Sequence, residues 1–287
     1  MKSSSRRDFL KTSGALATAA LVGGKSLVAA PLNKPIGLQL YSVRNLLPKD
    51  FDGTLRQLSD IGYKEMEAAG FYNKTAEEFR HAMDRAGLKC ISAHYTLMDF
   101  RTKLDEMLDY AHHLGLEYMI CSSSGGVHRD PKAKGDLTLD DWRYVTGEFN
   151  RIGERVKAAG MTFGVHNHVP EFAVEGGVTV YDELLRLTDP KLVYFEMDCG
   201  WVTAAGHNPV DYLSKTPERF PLMHVKDMSH DDKGYHSVVM GKGVANYQAI
   251  LRAATGLKHY FIEQEEFLGD PMTELRADAD YMRKLDL

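Results

Sequence analysis

Residues 156–168 read VKAAGMTFGVHNH: a polar-periodic segment that stops at Gly160, then a β-rich run closing on two histidines two positions apart. The same unit recurs along the chain as LSDIG before YKEMEAA (58–69), MDRAG before LKCISAHY (83–95), AHHLG before LEYMICS (111–122) and AATG before LKHYFIEQ (253–264). Gly62, Gly87, Gly115, Gly160 and Gly256 stand where a helix ends in a left-handed turn, a conformation glycine adopts without a Cβ penalty. Each is therefore expected to be a helix-to-strand junction. With IGLQLYS (36–42), KLVYFEMDCGW (191–201) and PLMHVKDMS (221–229), the chain offers eight strands, nearly all separated by helical patterns. Spread from Pro31 to Leu287, they recur every 32 residues or so, the spacing of a (β/α)8 TIM barrel of about 250 residues. The strands alternate little, as strands covered on both faces do. A doubly wound open sheet would carry a glycine-rich first turn, and IGLQLYSVRN (36–45) has none. No Pro/Gly/Ser linker interrupts the repeat, so 31–287 reads as a single α/β domain. One long irregular stretch, His230 to Val244, is expected over the barrel mouth as a lid or as a solvated acidic loop.

The 287 residues are 44% hydrophobic and 26% charged, which excludes a disordered, collagenous or coiled-coil chain. Three cysteines, Cys90, Cys121 and Cys199, are too few for a disulfide framework. The formal charge is -5, and Lys2, Arg6, Arg7, Lys11 and Lys25 against Asp8 make the first thirty residues basic. The remainder is thus more acidic still, a poor nucleic-acid binder. The order Ser5-Arg6-Arg7-Asp8-Phe9-Leu10-Lys11, a short apolar stretch Thr12 to Gly24, and Val28-Ala29-Ala30 at a cleavage site resembles a twin-arginine export signal over 1–30. It implies a mature protein in the periplasm or secreted, with no membrane segment. The apolar stretch falls short of the roughly 20 residues that a span needs.

In a barrel the C-terminal strand ends share one mouth, so residues far apart in sequence converge there. The ends carry Gln39 and Tyr41, Glu67, His94, Ser122 to Ser124, His166 and His168, Asp198 and Trp201, His224, Lys226 and Asp227, and Glu263 and Glu265. Four of the twelve histidines stand there with the carboxylates of Asp198 and Glu263, a mixed donor set suited to a borderline divalent ion such as Mn, Co, Zn, Ni or Fe. Any one histidine is more often structural. Asp198, His224 and Glu263 together argue for a cation, because carboxylates gathered in a mouth repel one another. His166 and His168 both face inward if either does, since strand side chains alternate.

The runs GVHNHVPEF (164–172), FEMDCGWVTAAGHNPVDYL (195–213), HVKD (224–227) and YFIEQEE (260–266) resemble the xylose isomerase-like TIM-barrel superfamily, the sugar phosphate isomerase/epimerase group. The resemblance spans nearly the whole chain beyond the signal. It implies one divalent ion held by Asp198, His224 and Glu263, with His166 where relatives carry a glutamate on the fifth strand. It also implies catalytic roles: Glu263 as base, His168 or His166 in place of the missing glutamate, and Lys226 neutralising an oxyanion. A surface lysine paired with Asp227 is the plainer reading of Lys226. Gln39, Tyr41, Glu67, His94, Glu171 and Trp201 are the expected substrate contacts.

The first expectation is a metal-dependent isomerase or epimerase acting through an enediolate on an unphosphorylated sugar or keto sugar. The alternative is a lyase or dehydratase eliminating from a 3-keto sugar or cyclic ketone, which needs one base and one acid rather than a matched pair of glutamates. CSSSGG (121–126) offers hydroxyl or phosphate contacts but is equally ordinary turn sequence. A non-catalytic carbohydrate-binding barrel, with Tyr41, Phe71, Tyr72, Tyr95 and Trp201 as flat surfaces, is a reading from another class. A phosphodiesterase is disfavoured by the acidic charge. The partner is a small molecule, and a homo-oligomer is compatible with the sequence.

Overall fold

A computed structural model describes residues 31–287; the expected signal, 1–30, lies outside the described residues. Eight parallel strands close a barrel: β1 (Gly37–Gln39), β2 (Glu65–Ala68), β3 (Lys89–Thr96), β4 (Tyr118–Ser123), β5 (Thr162–His166), then β8 (Val193–Asp198), β9 (Leu222–Val225) and β12 (His259–Ile262), which pairs back onto β1. Two small hairpins interrupt the count, β6–β7 (Val174–Glu175, Val178–Thr179) and β10–β11 (Asp227–Asp231, Gly234–Val238). The helices are α1 (Phe51–Ile61), α2 (Ala76–Ala86), α3 (Leu97–Leu114), α4 (Leu139–Ala158), α5 (Val180–Leu187), α6 (Cys199–Ala204), α7 (Pro209–Lys215), α8 (Tyr247–Ala253) and α9 (Pro271–Lys284). None of them is long and apolar enough to cross a membrane.

Local chemistry explains the joints. Thr75, Thr96 and Thr138 cap α2, α3 and α4, each closing a reciprocal box with the acidic residue three positions on, a cap worth about 1 kcal/mol. Gly62, Gly87 and Gly115 end α1, α2 and α3 in the left-handed region, with φ of 110°, 69° and 85°. Gly256 does not. Among the described glycines it lies outside that region, and glycine is needed there because a Cβ would stand 1.9 Å from the Pro217 carbonyl oxygen. The stretch 230–244, expected to be irregular, begins as the β10–β11 hairpin, paired from Asp227–Val238 to Asp231–Gly234. It does not line the main cavity. The longest irregular connection is instead 124–138, between β4 and α4.

Inside the barrel, Ile91, Ile120, Leu222 and Phe261 form an apolar plug separate from the larger core between strands and helices. Period-two alternation then sets the next inward layer: Leu222 is followed by His224 and Lys226, and Phe261 by Glu263. The plug thus floors a polar mouth. Cys90, Cys121 and Cys199 are all buried and unpaired.

Candidate active site

Every barrel strand brings a buried or half-buried polar side chain to this layer, β4 through Ser122 and β12 through Glu263 just past its end. Glu67 on β2 accepts from Gln39 Nε2 at 2.8 Å, and its Oε1 lies 2.9 Å from His94 Nε2 and 2.6 Å from His224 Nε2. His94 Nε2 also meets Glu196 Oε2 at 2.7 Å, and His166 Nδ1 reaches that same oxygen at 3.1 Å. The other nitrogen of His224, Nδ1, faces Glu263 Oε2 at 3.0 Å and Asp198 Oδ2 at 3.8 Å, while His166 Nε2 is 3.9 Å from Asp198 Oδ2. Asn167, between the two histidines of β5 and its loop, accepts from the Asp198 amide and donates to the Asp198 carbonyl. That clamp fixes the end of β5 against the end of β8.

Lys226 is buried and touches three carboxylates: Asp198 Oδ2 at 3.0 Å, Glu263 Oε2 at 2.9 Å and Glu265 Oε1 at 2.5 Å. It is neither a surface cation nor a partner of Asp227. Asp227 instead accepts from the amides of Met228, Gly241, Gly243 and Ala245, tying down the return from the β10–β11 hairpin. Gly200 makes the lysine's position feasible, since a Cβ there would come within 2.7 Å of the Lys226 carbonyl and 2.9 Å of its Cγ.

The charges follow from these neighbours. Burial pushes Asp198 and Glu263 up, but Lys226 and His224 together outweigh it and hold both carboxyls below their usual range. Burial alone would deprotonate His94, yet Glu67 and Glu196 raise it to about 9. Burial, followed by the charge of Glu67, brings Glu196 up to about 7. Burial lowers His168 to about 4, so its imidazole is neutral near neutrality.

Two ligand groups emerge, each with donor atoms within 4.8 Å of one another: Asp198, His224 and Glu263; and His94, His166, Glu196 and His224. Glu67 Oε2, Glu196 Oε1 and Asp198 Oδ2 are buried without a hydrogen bond, the last being ion-paired to Lys226 without an aligned donor. Buried carboxylate oxygens left open beside imidazole nitrogens fit a divalent cation. Glu196 is a member that reading the strand ends misses. Its signal is its position two residues before Asp198 on one strand, which puts both on the inner face.

A cavity of about 810 Å³ opens on this layer, lined at its inner end by His94, His166, His168, Trp201, Glu263 and Glu265, with Tyr41 at the rim. Gln39, Glu67 and Lys226 are not among the residues lining that cavity and lie behind its wall, Gln39 against Glu67, Glu67 against His224, and Lys226 against Glu263 and Glu265. Glu171 is also displaced. It is buried, accepts from the His168 amide at 2.9 Å and lines a neighbouring cavity of about 740 Å³. His168 lines both cavities but falls in neither ligand group.

The model of the xylose isomerase-like TIM barrel family matches residues 55–285, and a twin-arginine translocation signal matches residues 3–23. An inosose dehydratase of Geobacillus kaustophilus is 27% identical over 198 residues, 63% of this chain and 63% of its own. The chain thus spans less than two thirds of that curated relative. A sugar phosphate isomerase/epimerase from Parabacteroides distasonis superposes with a TM-score of 0.75 at 25% identity, covering 91% of this chain and 96% of that one. The IOLI protein, solved with a zinc atom, shares the fold at a TM-score of 0.65 and 12% identity, covering 88% and 95%.

Proposed function

The chain belongs to the xylose isomerase-like TIM barrel family, and from that premise we propose a divalent-metal-dependent lyase that eliminates a β-substituent from a polyhydroxylated ketone such as a 3-keto sugar. One observation carries this reading: the cavity wall presents a carboxylate, Glu263, and an imidazole, His94, two chemically unlike groups that suit removal of a proton by one and delivery of a proton by the other. A matched pair of glutamates, which suits taking a proton from one face and returning it to the other, is missing because β5 ends in His166.

Asp198, His224, Glu263 and His166 would hold the ion. When bound, it supplies a Lewis acid for a ketone oxygen and its neighbouring hydroxyl, lowering the cost of negative charge there. Glu263 takes the proton from the carbon next to the carbonyl. The electron pair forms the new C=C bond, the bond from the β-carbon to its oxygen breaks, and that oxygen takes a proton from His94. The products are an unsaturated ketone and water or an alcohol. Lys226 keeps Glu263 ionised for the first transfer, while Glu67 and Glu196 keep His94 charged for the second. The inosose dehydratase relative supports elimination. The isomerase or epimerase first expected shares the proton removal and differs only in the fate of the enolate. The twin-arginine match supports export, where an unphosphorylated substrate would be met.

Incubation of the metal-loaded protein with a 3-keto glycoside in heavy water tests the reading. Release of alcohol with growth of enone absorbance, abolished by a chelator, is the expected result. Deuterium next to the carbonyl in a ketone of intact skeleton would overturn it in favour of epimerisation. Metal analysis of native protein identifies the ion.

A further inference from the structure

The reacting groups occupy only one end of the main cavity. The other end runs outward between the loop after β2 and α3, where Phe71, Tyr95 and Tyr110 form an aromatic wall; Phe71 and Tyr110 have ring centroids 4.3 Å apart. About 810 Å³ is near the top of the roughly 300–1,000 Å³ typical of small-molecule sites, far more than one pyranose ring fills. Resting on the elimination proposed above, we infer that the substrate is a two-ring glycoside whose departing sugar lies in this aromatic arm.

Three features select a sugar ring. First, His94 and Tyr95 are consecutive on β3, and alternation turns His94 to the barrel axis and Tyr95 away from it. The group that protonates the leaving oxygen therefore stands at the neck between the reacting end and the arm. Second, the Tyr95 hydroxyl is buried without a hydrogen-bond partner, on a residue only 9% exposed that lines the arm. A substrate hydroxyl would satisfy it, and an unpaired buried hydroxyl is otherwise costly. Third, α3 breaks its helical conformation at Lys103 (φ -134°, ψ 17°), and Asp99, Lys103 and Glu106 line the outer part of the arm. A hydrocarbon or aryl group would desolvate those charges without replacing their hydrogen bonds. A pyranose instead offers apolar C–H faces to the aromatic rings and hydroxyls to Asp99, Lys103 and Glu106.

The arm's placement also depends on the loop after β2. Gly70 has φ of 125°, a left-handed conformation open to glycine, and it delivers Phe71 to the wall.

The experiment compares three ketones that share one reacting ring: a 3-keto disaccharide, a 3-keto methyl glycoside and a 3-keto aryl glycoside. The expected kcat/KM for the disaccharide exceeds that for the methyl glycoside by about tenfold or more, because binding energy from the remote ring is used in the transition state. Phe71→Ala and Tyr110→Ala bring that ratio towards one, and Tyr95→Phe, which keeps the ring, lowers it by a smaller factor. Equal rates for disaccharide and methyl glycoside, or preference for the aryl glycoside, overturn the inference. Should no ketone react, the elimination reading fails, and calorimetric titration with the unoxidised disaccharide judges the arm alone. Measurable binding, weakened about fivefold or more by Phe71→Ala, supports it; no binding, or binding indifferent to Phe71→Ala and Tyr95→Phe in folded protein, overturns it.

Discussion

Asp198 and Asp278 are both fully buried aspartates, and the structure drives them in opposite directions. Asp278, on α9, accepts from the Met240 amide but faces no cation; burial raises it to about 7 and its Oδ2 has no partner. Asp198, at the barrel mouth, lies 3.0 Å from the Lys226 ammonium and is held below its ordinary range. Burial by itself neutralises a carboxyl group, so a buried acid that stays ionised has been given a positive charge to face. The mouth gathers three such acids, Glu67, Asp198 and Glu263, around Lys226 and three imidazoles, whereas the α9 site keeps one acid that readily holds its proton. That contrast marks the mouth as a place built for cationic charge.

The sharpest way to break the contrast is Lys226→Met. Removing one partner from a buried ion cluster is expected to cost about 3–5 kcal/mol, read as a fall in Tm, with kcat/KM reduced by about 100-fold or more as Asp198 and Glu263 take up protons. Normal activity in that variant would show that the metal alone keeps the acids ionised. Gly200→Ala tests the same lysine from outside: the added methyl meets the Lys226 backbone and Cγ, for an expected loss of about 1–3 kcal/mol in denaturant unfolding. Glu196→Gln leaves Lys226 in place and weakens only the imidazole side. Metal affinity by competitive chelation is expected to fall about 10–100-fold.

The smallest effect belongs to Asp278. An acid whose folded pKa is raised binds its proton more tightly when folded, so its contribution is full below about 4 and is lost as pH climbs to about 7. Asp278→Asn keeps an acceptor for the Met240 amide and is expected to stabilise the protein by about 1 kcal/mol at pH 8 and less at pH 4. Equal stabilisation at both pH values would mean that Asp278 stays ionised in the fold.

Much of this is legible in the amino-acid sequence alone. Local signals locate the strands, because junction glycines and apolar runs repeat, and strand ends name Asp198, His224 and Glu263 together. What escapes depends on distant chain. Glu196 lies one inward position below a strand end, and only the neighbouring strands show His94 and His166 converging on it. Lys226 is named at the mouth, but its competing reading as a surface lysine paired with Asp227 stays open in sequence because its true partners lie on β8 and in the loop after β12. Gly256 reads like the other junctions in sequence, yet its reason is the passing of residues 217–218. The β10–β11 hairpin is hidden by acidic, histidine-rich composition, although Asp232-Lys233-Gly234 has the makings of a turn.

The buried thiols bear on life outside the cytoplasm. Cys90, Cys121 and Cys199 are sealed in the core, and burial raises each thiol, Cys121 to about 12. A thiol that does not ionise neither attacks a disulfide nor oxidises readily. A chain exported already folded would carry these sulfurs through an oxidising compartment as inert packing, in no need of an isomerase or a reductant to stay active.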